Sequence, residues 1–265
     1  MNEYINKVIN GDCIEVLKQL PENSVDLFLE DMPYNTTACE WEYEVDLEEY
    51  WEIRKKLIKP TGVFALTASQ PFTSELLMSN KEMFKYDWIW KRDRGSGFLN
   101  AKIMPLKTHE SILIFTNKMD RYYPIMTKGK PAHKKGKIVG EKVNGGTYGN
   151  FTAVDTESEM KYPKTVLEFN RPHPNIHPTQ KPVGLFEYLI KTYTNEGGLV
   201  VDGYSGSGTT AVAAIRTNRN FICFEREEGY CAIANERIKN EKRKMAEICY
   251  TNDLALFSNV SENTA

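Results

Sequence analysis

Apolar and polar positions fall into alternating blocks along the chain. Short apolar runs end abruptly at polar or turn residues: Val8-Ile9, Val25 to Leu29, Val63 to Thr67, Leu199 to Val201 and Phe221 to Phe224. Runs of that length between turn signals predict buried strands. Between them lie stretches with helical spacing. One runs from Ile14 to Leu20 with Asp12 as N-cap, and one carries Tyr50, Trp51, Ile53, Leu57 and Ile58 inward until Pro60-Thr61-Gly62 stops it. Another opens at Ser69-Gln70-Pro71, and Val183 to Tyr193 ends before Gly197-Gly198. Two more run through Ala211, Ala213, Ala214 and Ile215, and from about Glu227 to Ala246. Asp87 to Lys91 and Ser111 to Thr116 read as strands, separated by Arg92 to Gly97, a charged loop too polar to bury. Strands alternating with helices imply an α/β fold with a mostly parallel twisted sheet.

From Asn117 to about Asn170 the periodicity disappears. Lysine and arginine occupy eight positions between 118 and 142, against Asp120 and Glu141 alone. Aromatic residues (Tyr122, Tyr123, Tyr148, Phe151) are interleaved with them. Basic residues mixed with aromatics in a long insertion suit a polyanion-facing segment.

Composition narrows the class. The chain has 265 residues, 41% of them hydrophobic, which is enough for a large core. Its net charge is −2, so a nucleic-acid partner must be met by a local patch. The five cysteines form no CxxC pair and the four histidines no HExxH arrangement, which disfavours a disulfide frame and any metal. The N-terminus has no apolar signal core and no run reaches membrane-spanning length, so a cytoplasmic protein without membrane contact is expected.

Two strand ends carry candidate chemistry. After Val25 to Leu29 come Asp31-Met32-Pro33-Tyr34. The Asp31 carboxylate and the Pro33 carbonyl are two acceptors, and Tyr34 offers a flat ring beside them. Such a set can hold a planar group bearing an exocyclic NH2. After Leu199 to Val201 come Asp202, Gly203 and then Tyr204-Ser205-Gly206-Ser207-Gly208-Thr209-Thr210, leading into an Ala-rich helix. The next strand ends at Glu225, nineteen residues past Gly206 and placed to accept from ribose hydroxyls. The turn is neither GxxxxGK[ST] nor GxGxxG, which leaves a nucleoside cofactor without a pyrophosphate, S-adenosylmethionine foremost.

Together these motifs resemble those of the amino-directed DNA methyltransferases, in the permuted β-class order that places the catalytic motif first. The resemblance implies a Rossmann-like S-adenosylmethionine-dependent methyltransferase fold, with helices on both faces of the sheet. Residues 1–116 would be the catalytic half, 117–170 an irregular target-recognition insertion, 171–246 the cofactor-binding half and 247–265 a tail. Asn10 to Cys13, with Asp12 and Cys13 on the cofactor adenine, and His177-Pro178-Thr179-Gln180-Lys181-Pro182, at its methionine end, match family segments. So do Asn35-Thr36-Thr37-Ala38 and Trp41. Asp202, Tyr204 to Thr210 and Glu225 match the cofactor turn and ribose acid, and Asp31 borders the cofactor as well as the base. Two residues depart from the pattern. Met32 stands for the first proline of the usual D-P-P-Y, and Gly203 for the proline that usually follows the cofactor motif's Asp.

The resemblance implies methyl transfer to a base flipped out of double-stranded DNA, with Asp31, Pro33 and Tyr34 catalytic. Asp at position 31 follows the family tendency towards the 6-amino group of adenine. N4 of cytosine is the alternative, and a DNA-binding relative weakened by Met32 is another. Arg92, Arg94, Lys128, Lys130, Lys134 and Lys135 are the candidate DNA contacts. A homodimer and a cognate restriction endonuclease are further partners that the resemblance admits, in a bacterial or phage-encoded, nucleoid-associated protein.

Overall fold

A computed structural model describes residues 1–34, 44–130, 142–144, 149–152, 159–173 and 180–262. Its contacts divide the chain into two units, 1–123 with 165–265, and 124–164.

The larger unit is built on an eight-stranded sheet. In spatial order the strands are β1 (Lys7–Asn10), β12 (Asn220–Glu225), β11 (Leu199–Asp202), β2 (Val25–Glu30), β3 (Ile58–Ala68), β5 (Lys107–Phe115), β4 (Phe84–Ser96) and β10 (Val166–Glu168). Only β5 runs against its neighbours. Helices α1 (Cys13–Leu17), α2 (Leu47–Leu57) and α3 (Phe72–Ser79) cover one face, where Phe28, Phe64, Leu66 and Phe115 are buried. Helices α4 (Val183–Tyr193), α5 (Thr209–Arg216) and α6 (Glu228–Glu262) cover the other, over Leu27, Leu29, Val63 and Ala65. Alternate residues of β2 and β3 therefore enter opposite cores, which is why both strands read as unbroken apolar runs. Phe28 and Phe64 stack at 5.2 Å in the first core, and truncating either would cost about 3–5 kcal/mol.

The structure departs from the sequence-based expectations at four places. Pro60-Thr61-Gly62 does not merely stop a helix: α2 already ends at Leu57, and β3 runs through all three residues. Ile58 pairs with Val25 and Val63 with Leu27, so the extra residues bulge out, where a proline without an N–H is tolerated. Arg92 to Ser96 continue β4 instead of looping. The separate compact unit is 124–164, narrower than the aperiodic stretch, because Tyr123 N–H donates to the Thr192 carbonyl and Val166 to Glu168 join the sheet beside β4. Helix α6 continues to Glu262, well past Ala246.

Within 124–164 two short antiparallel pairs are present, β6 (Thr127–Lys128) with β9 (Met160–Lys161), and β7 (Lys142–Asn144) with β8 (Asn150–Thr152).

Candidate active site

Five neighbouring strands, β1, β12, β11, β2 and β3, run parallel and end on one side of the sheet. Each delivers polar groups there: Asp12 after β1, Glu225 on β12, Asp202 on β11, Asp31 after β2, and Thr67 on β3. At the usual strand spacing this row spans roughly 19 Å. The chain crosses from one half of the sheet to the other between β11 and β2, the kind of switch point where open α/β sheets bind ligands.

Asp31 is held from three directions. The Tyr34 hydroxyl donates to Oδ1 at 2.7 Å, the Thr67 hydroxyl donates to the same oxygen, and Lys181 Nζ lies 2.5 Å from Oδ2. A carboxylate offers about four lone-pair sites, so among the described residues one acceptor position is left. Phe72 backs one face of the Tyr34 ring at 5.5 Å. Burial and the Asp31 and Glu110 charges raise the Tyr34 phenol well above its ordinary range, so it stays a donor.

Lys181, expected among the cofactor contacts, thus has its ammonium on Asp31, and it also lies 3.3 Å from Glu110 Oε2. Burial pulls its pKa down, but the two carboxylates outweigh that and hold it above the ordinary lysine value. Glu110 in turn pairs with Arg92 at 3.3 Å. Arg92, expected as a DNA contact, is only 10% exposed and also donates to Ser96 Oγ and the Lys107 carbonyl. Arg94 is open to solvent, as is Lys128, whose ammonium is 3.2 Å from Glu159. Lys130 is exposed as well. Lys134, Lys135, His177, Thr179, the segment Asn35 to Ala38 and Trp41 lie outside the described residues. Gln180 is half-buried and Pro182 caps α4.

The glycine turn follows β11. Gly206 and Gly208 take φ of +51° and +80°. At Gly208 a Cβ would also meet Ala234 Cβ at 2.8 Å, so glycine lets α5 pack against α6. Ser205 N–H and its hydroxyl donate to the Phe224 carbonyl, and Arg237 donates to Ser207 Oγ at 2.9 Å. Asp202 accepts from the Tyr204 N–H at 2.9 Å and from the Thr210 hydroxyl, next to Thr209, the first residue of α5. Burial pushes the Asp202 carboxyl up to about 8, against the pull of those two hydrogen bonds. Burial likewise raises Glu225, although the Glu227 N–H donates to it at 2.8 Å.

Asp12 caps α1 by accepting from the Ile14 N–H at 2.8 Å and pairs with Arg226. Beside it opens a cavity of about 240 Å³, whose lining includes Asp12, Cys13, Tyr50, Arg54, Tyr204 and Arg226. The open N-terminus of α5, the Glu225 carboxylate and this cavity make a donor, acceptor and ring-sized space in sequence, a set that suits a nucleoside. Among the described residues no group of three or more His, Cys, Asp and Glu could hold a metal ion.

A family model for DNA methylases of the N6/N4 group matches residues 25–236. The chain belongs to the N6/N4 DNA methyltransferase family. The Type II methyltransferase M.BglII of Bacillus subtilis is 30% identical over 269 residues, covering 90% of this chain and 70% of that protein. M.HpaI of Haemophilus parainfluenzae is 28% identical over 253 residues, 89% of this chain and 74% of that one. Among solved structures, the M1.HpyAVI–SAM complex superimposes with a TM-score of 0.60 at 23% identity, over 87% of this chain and 98% of that one. The cytosine-N4-specific PvuII DNA methyltransferase gives 0.60 at 21%, over 87% of each. These two likenesses are of fold.

Both departures from the family motif acquire a physical account. Met32 is 2% exposed and packs into the core under α1 to α3, so its side chain fills apolar space there. Gly203 sits against a buried ion pair. Arg54 Nη2 lies 3.0 Å from Glu30 Oε1, Tyr50 donates to the other oxygen, and the Gly203 N–H donates to Glu30 Oε1 at 2.9 Å. A Cβ at Gly203 would lie 2.7 Å from Arg54 Nη2 and 2.8 Å from Glu30 Oε1. A proline would lose the N–H and crowd the pair. The methyltransferase therefore fixes this turn by a hydrogen bond instead of by a ring. Thr67, Glu110, Arg237 and the Glu30–Arg54 pair escaped sequence reasoning, since none lies in a motif.

Proposed function

We propose that this methyltransferase uses S-adenosylmethionine to methylate the 6-amino group of adenine in double-stranded DNA, on a base flipped out of the helix. The observation that carries the reading is Asp31, a carboxylate with one acceptor position left among the described residues, beside the Tyr34 ring that Phe72 backs. The amino group of the base donates to that position and to the Pro33 carbonyl, which concentrates the nitrogen lone pair. Tyr34 stacks on the base. S-adenosylmethionine supplies a methyl group on a sulfonium. As the accepting nitrogen becomes cationic, the Asp31 carboxylate stabilises the charge and receives its proton, while Lys181 and the two hydroxyls hold that carboxylate in place.

The cofactor reading rests on the Gly206–Gly208 turn, Glu225 and the cavity beside Asp12, with Cys13, Ser205, Ser207 and Thr209 around them. Lys128 and Lys130, on the smaller unit, suit DNA phosphates. A homodimer and a cognate restriction endonuclease accompany this reading as partners, since the named relatives are Type II methyltransferases. No helix among the described residues is long and apolar enough to cross a membrane.

The test is transfer of a tritiated methyl group from S-adenosylmethionine to mixed-sequence duplex DNA, followed by digestion and separation of the nucleosides. Label in 6-methyladenine, abolished by Asp31→Ala, is the expected result. Label only in N4-methylcytosine would overturn the choice of base. Cofactor binding without any incorporation would point to a binding protein, and label persisting in Asp31→Ala would sink the role of the carboxylate.

A further inference from the structure

The segment from Gly97 to Leu106, between β4 and β5, presents five large apolar side chains to solvent. Phe98 is 77% exposed, Leu99 84%, Ile103 79%, Met104 52% and Leu106 45%. So dense a run of exposed apolar groups marks an interaction surface. The segment is built, not loose. At its base Ser96 pairs with Lys107, and Arg92 donates to Ser96 Oγ at 3.0 Å and to the Lys107 carbonyl at 2.7 Å. At its tip Phe98–Asn100 form a 3₁₀ turn, and Ile103 and Met104 both donate N–H bonds to the Asn100 carbonyl. Hydrogen bonding thus stiffens the backbone while the apolar side chains point outward.

Two observations identify the occupant. Between positions 94 and 107 the chain carries Arg94, Lys102 and Lys107 and no acid, so the charges within the segment are all positive, with Asp93 just before it 3.7 Å from Arg94. The segment also rises from the end of the sheet that holds the catalytic carboxylate. Glu110, three residues past Lys107, contacts Lys181, which contacts Asp31. Cations around an apolar tip suit a partner with a charged backbone and a stacked apolar interior, which is duplex DNA.

We propose that the 97–106 segment is a wedge: Phe98 and Leu99 enter the base stack and fill the gap left by the flipped target base, with Arg94, Lys102 and Lys107 on the flanking phosphates. Extruding a base leaves its neighbours unstacked, and apolar side chains inserted at such a step offset that cost. The proposal rests on the reading of the protein as a base-flipping methyltransferase.

The test compares wild type with the Phe98→Ala/Leu99→Ala double variant on two duplexes containing the methylated site mapped from labelled DNA. In one duplex the target adenine is paired, and in the other it faces an abasic position, where extrusion costs least. The variant is expected to methylate the paired duplex at least tenfold more slowly and the abasic duplex within about threefold of wild type. With 2-aminopurine at the target, wild type raises the fluorescence of the paired duplex and the variant does not. Equal loss on both duplexes, or none on either, would overturn the wedge. A variant that flips normally but no longer sediments as a dimer would assign the patch to a second copy of the chain instead. A wild-type protein that methylates neither duplex would overturn the function on which the wedge rests.

Discussion

Lys181 Nζ lies 2.5 Å from Asp31 Oδ2 and 3.3 Å from Glu110 Oε2, joining three charges that are distant in sequence within a nearly closed space. Removing one member of a buried ion pair strands the other, at a cost of about 3–5 kcal/mol. Lys181→Met is therefore expected to lower the urea midpoint markedly and to reduce kcat at least tenfold, with little change in KM for DNA. A variant with wild-type kcat would show that Lys181 only fills space. The lysine's pKa is raised above the ordinary 10.5, so its share of stability is complete below that pH and is lost only as pH climbs through the folded-state value.

Thr67 is fully buried and gives its hydroxyl to Asp31 Oδ1. A hydrogen bond to a charged group contributes about 1.5–3 kcal/mol. Thr67→Val keeps the shape and removes the donor, so kcat should fall by about tenfold or more, at roughly 1.4 kcal/mol per factor of ten. Cofactor affinity should hold, and Thr67→Ser should restore most of the rate. If Ser failed to restore it, packing and not the hydroxyl would be the cause.

The legible and hidden parts of this site differ in kind. Strands β1, β2, β11 and β12 announce themselves because parallel strands buried on both faces must be apolar throughout, and their acids stand where the apolar run stops. Asp12, Asp31, Asp202 and Glu225 were therefore readable as a set. Thr67 and Lys181 meet Asp31 across 36 and 150 positions of sequence, and Glu110 joins them through Lys181, contacts that no local pattern encodes. Arg92 reads in sequence as a loop cation available to DNA because its partner, Glu110, sits on the next strand. Pro60 and Gly62 looked like a helix stop because a bulge and a turn use the same residues. Gly203 stands out in the sequence only as a departure from the motif, because the carboxylate that its N–H bonds, Glu30, is 173 positions away.

That contact makes a coupled prediction. Gly203→Pro removes the N–H donated to Glu30 Oε1 and pushes atoms into the space 2.7 Å from Arg54 Nη2. It should destabilise the protein by about 2 kcal/mol or more, from the lost charged hydrogen bond alone, and raise KM for S-adenosylmethionine. Replacing the pair by apolar residues, Glu30→Leu with Arg54→Leu, removes both the acceptor and the crowding, and such replacements are often close to neutral. In that background Gly203→Pro should cost much less. Additive costs, measured by a double-mutant cycle in urea, would refute the coupling.

Asp202 carries a pH dependence whose sign follows from its burial. Its carboxyl is pushed up to about 8 in the folded protein, against an ordinary 3.8. The folded state thus holds a proton that the unfolded chain has released, and this group favours folding less and less as pH rises from about 4 to 8. Asp26 has the opposite sign: burial raises its pKa, but its bonds with Lys59, the Leu199 N–H and Arg121 lower it further, so it stabilises the fold as pH rises. The two trends overlap in wild type, so the informative quantity is the difference from Asp202→Asn. The asparagine amide can donate to Thr210 while its oxygen still accepts from the Tyr204 N–H, which keeps the turn intact. Relative to wild type the variant should gain stability steadily between pH 5 and 8, with a limiting slope of about 1.4 kcal/mol per pH unit for one proton. Urea unfolding at several pH values reads that difference directly. A difference flat with pH would mean that Asp202 ionises in the folded protein as it does in the open chain.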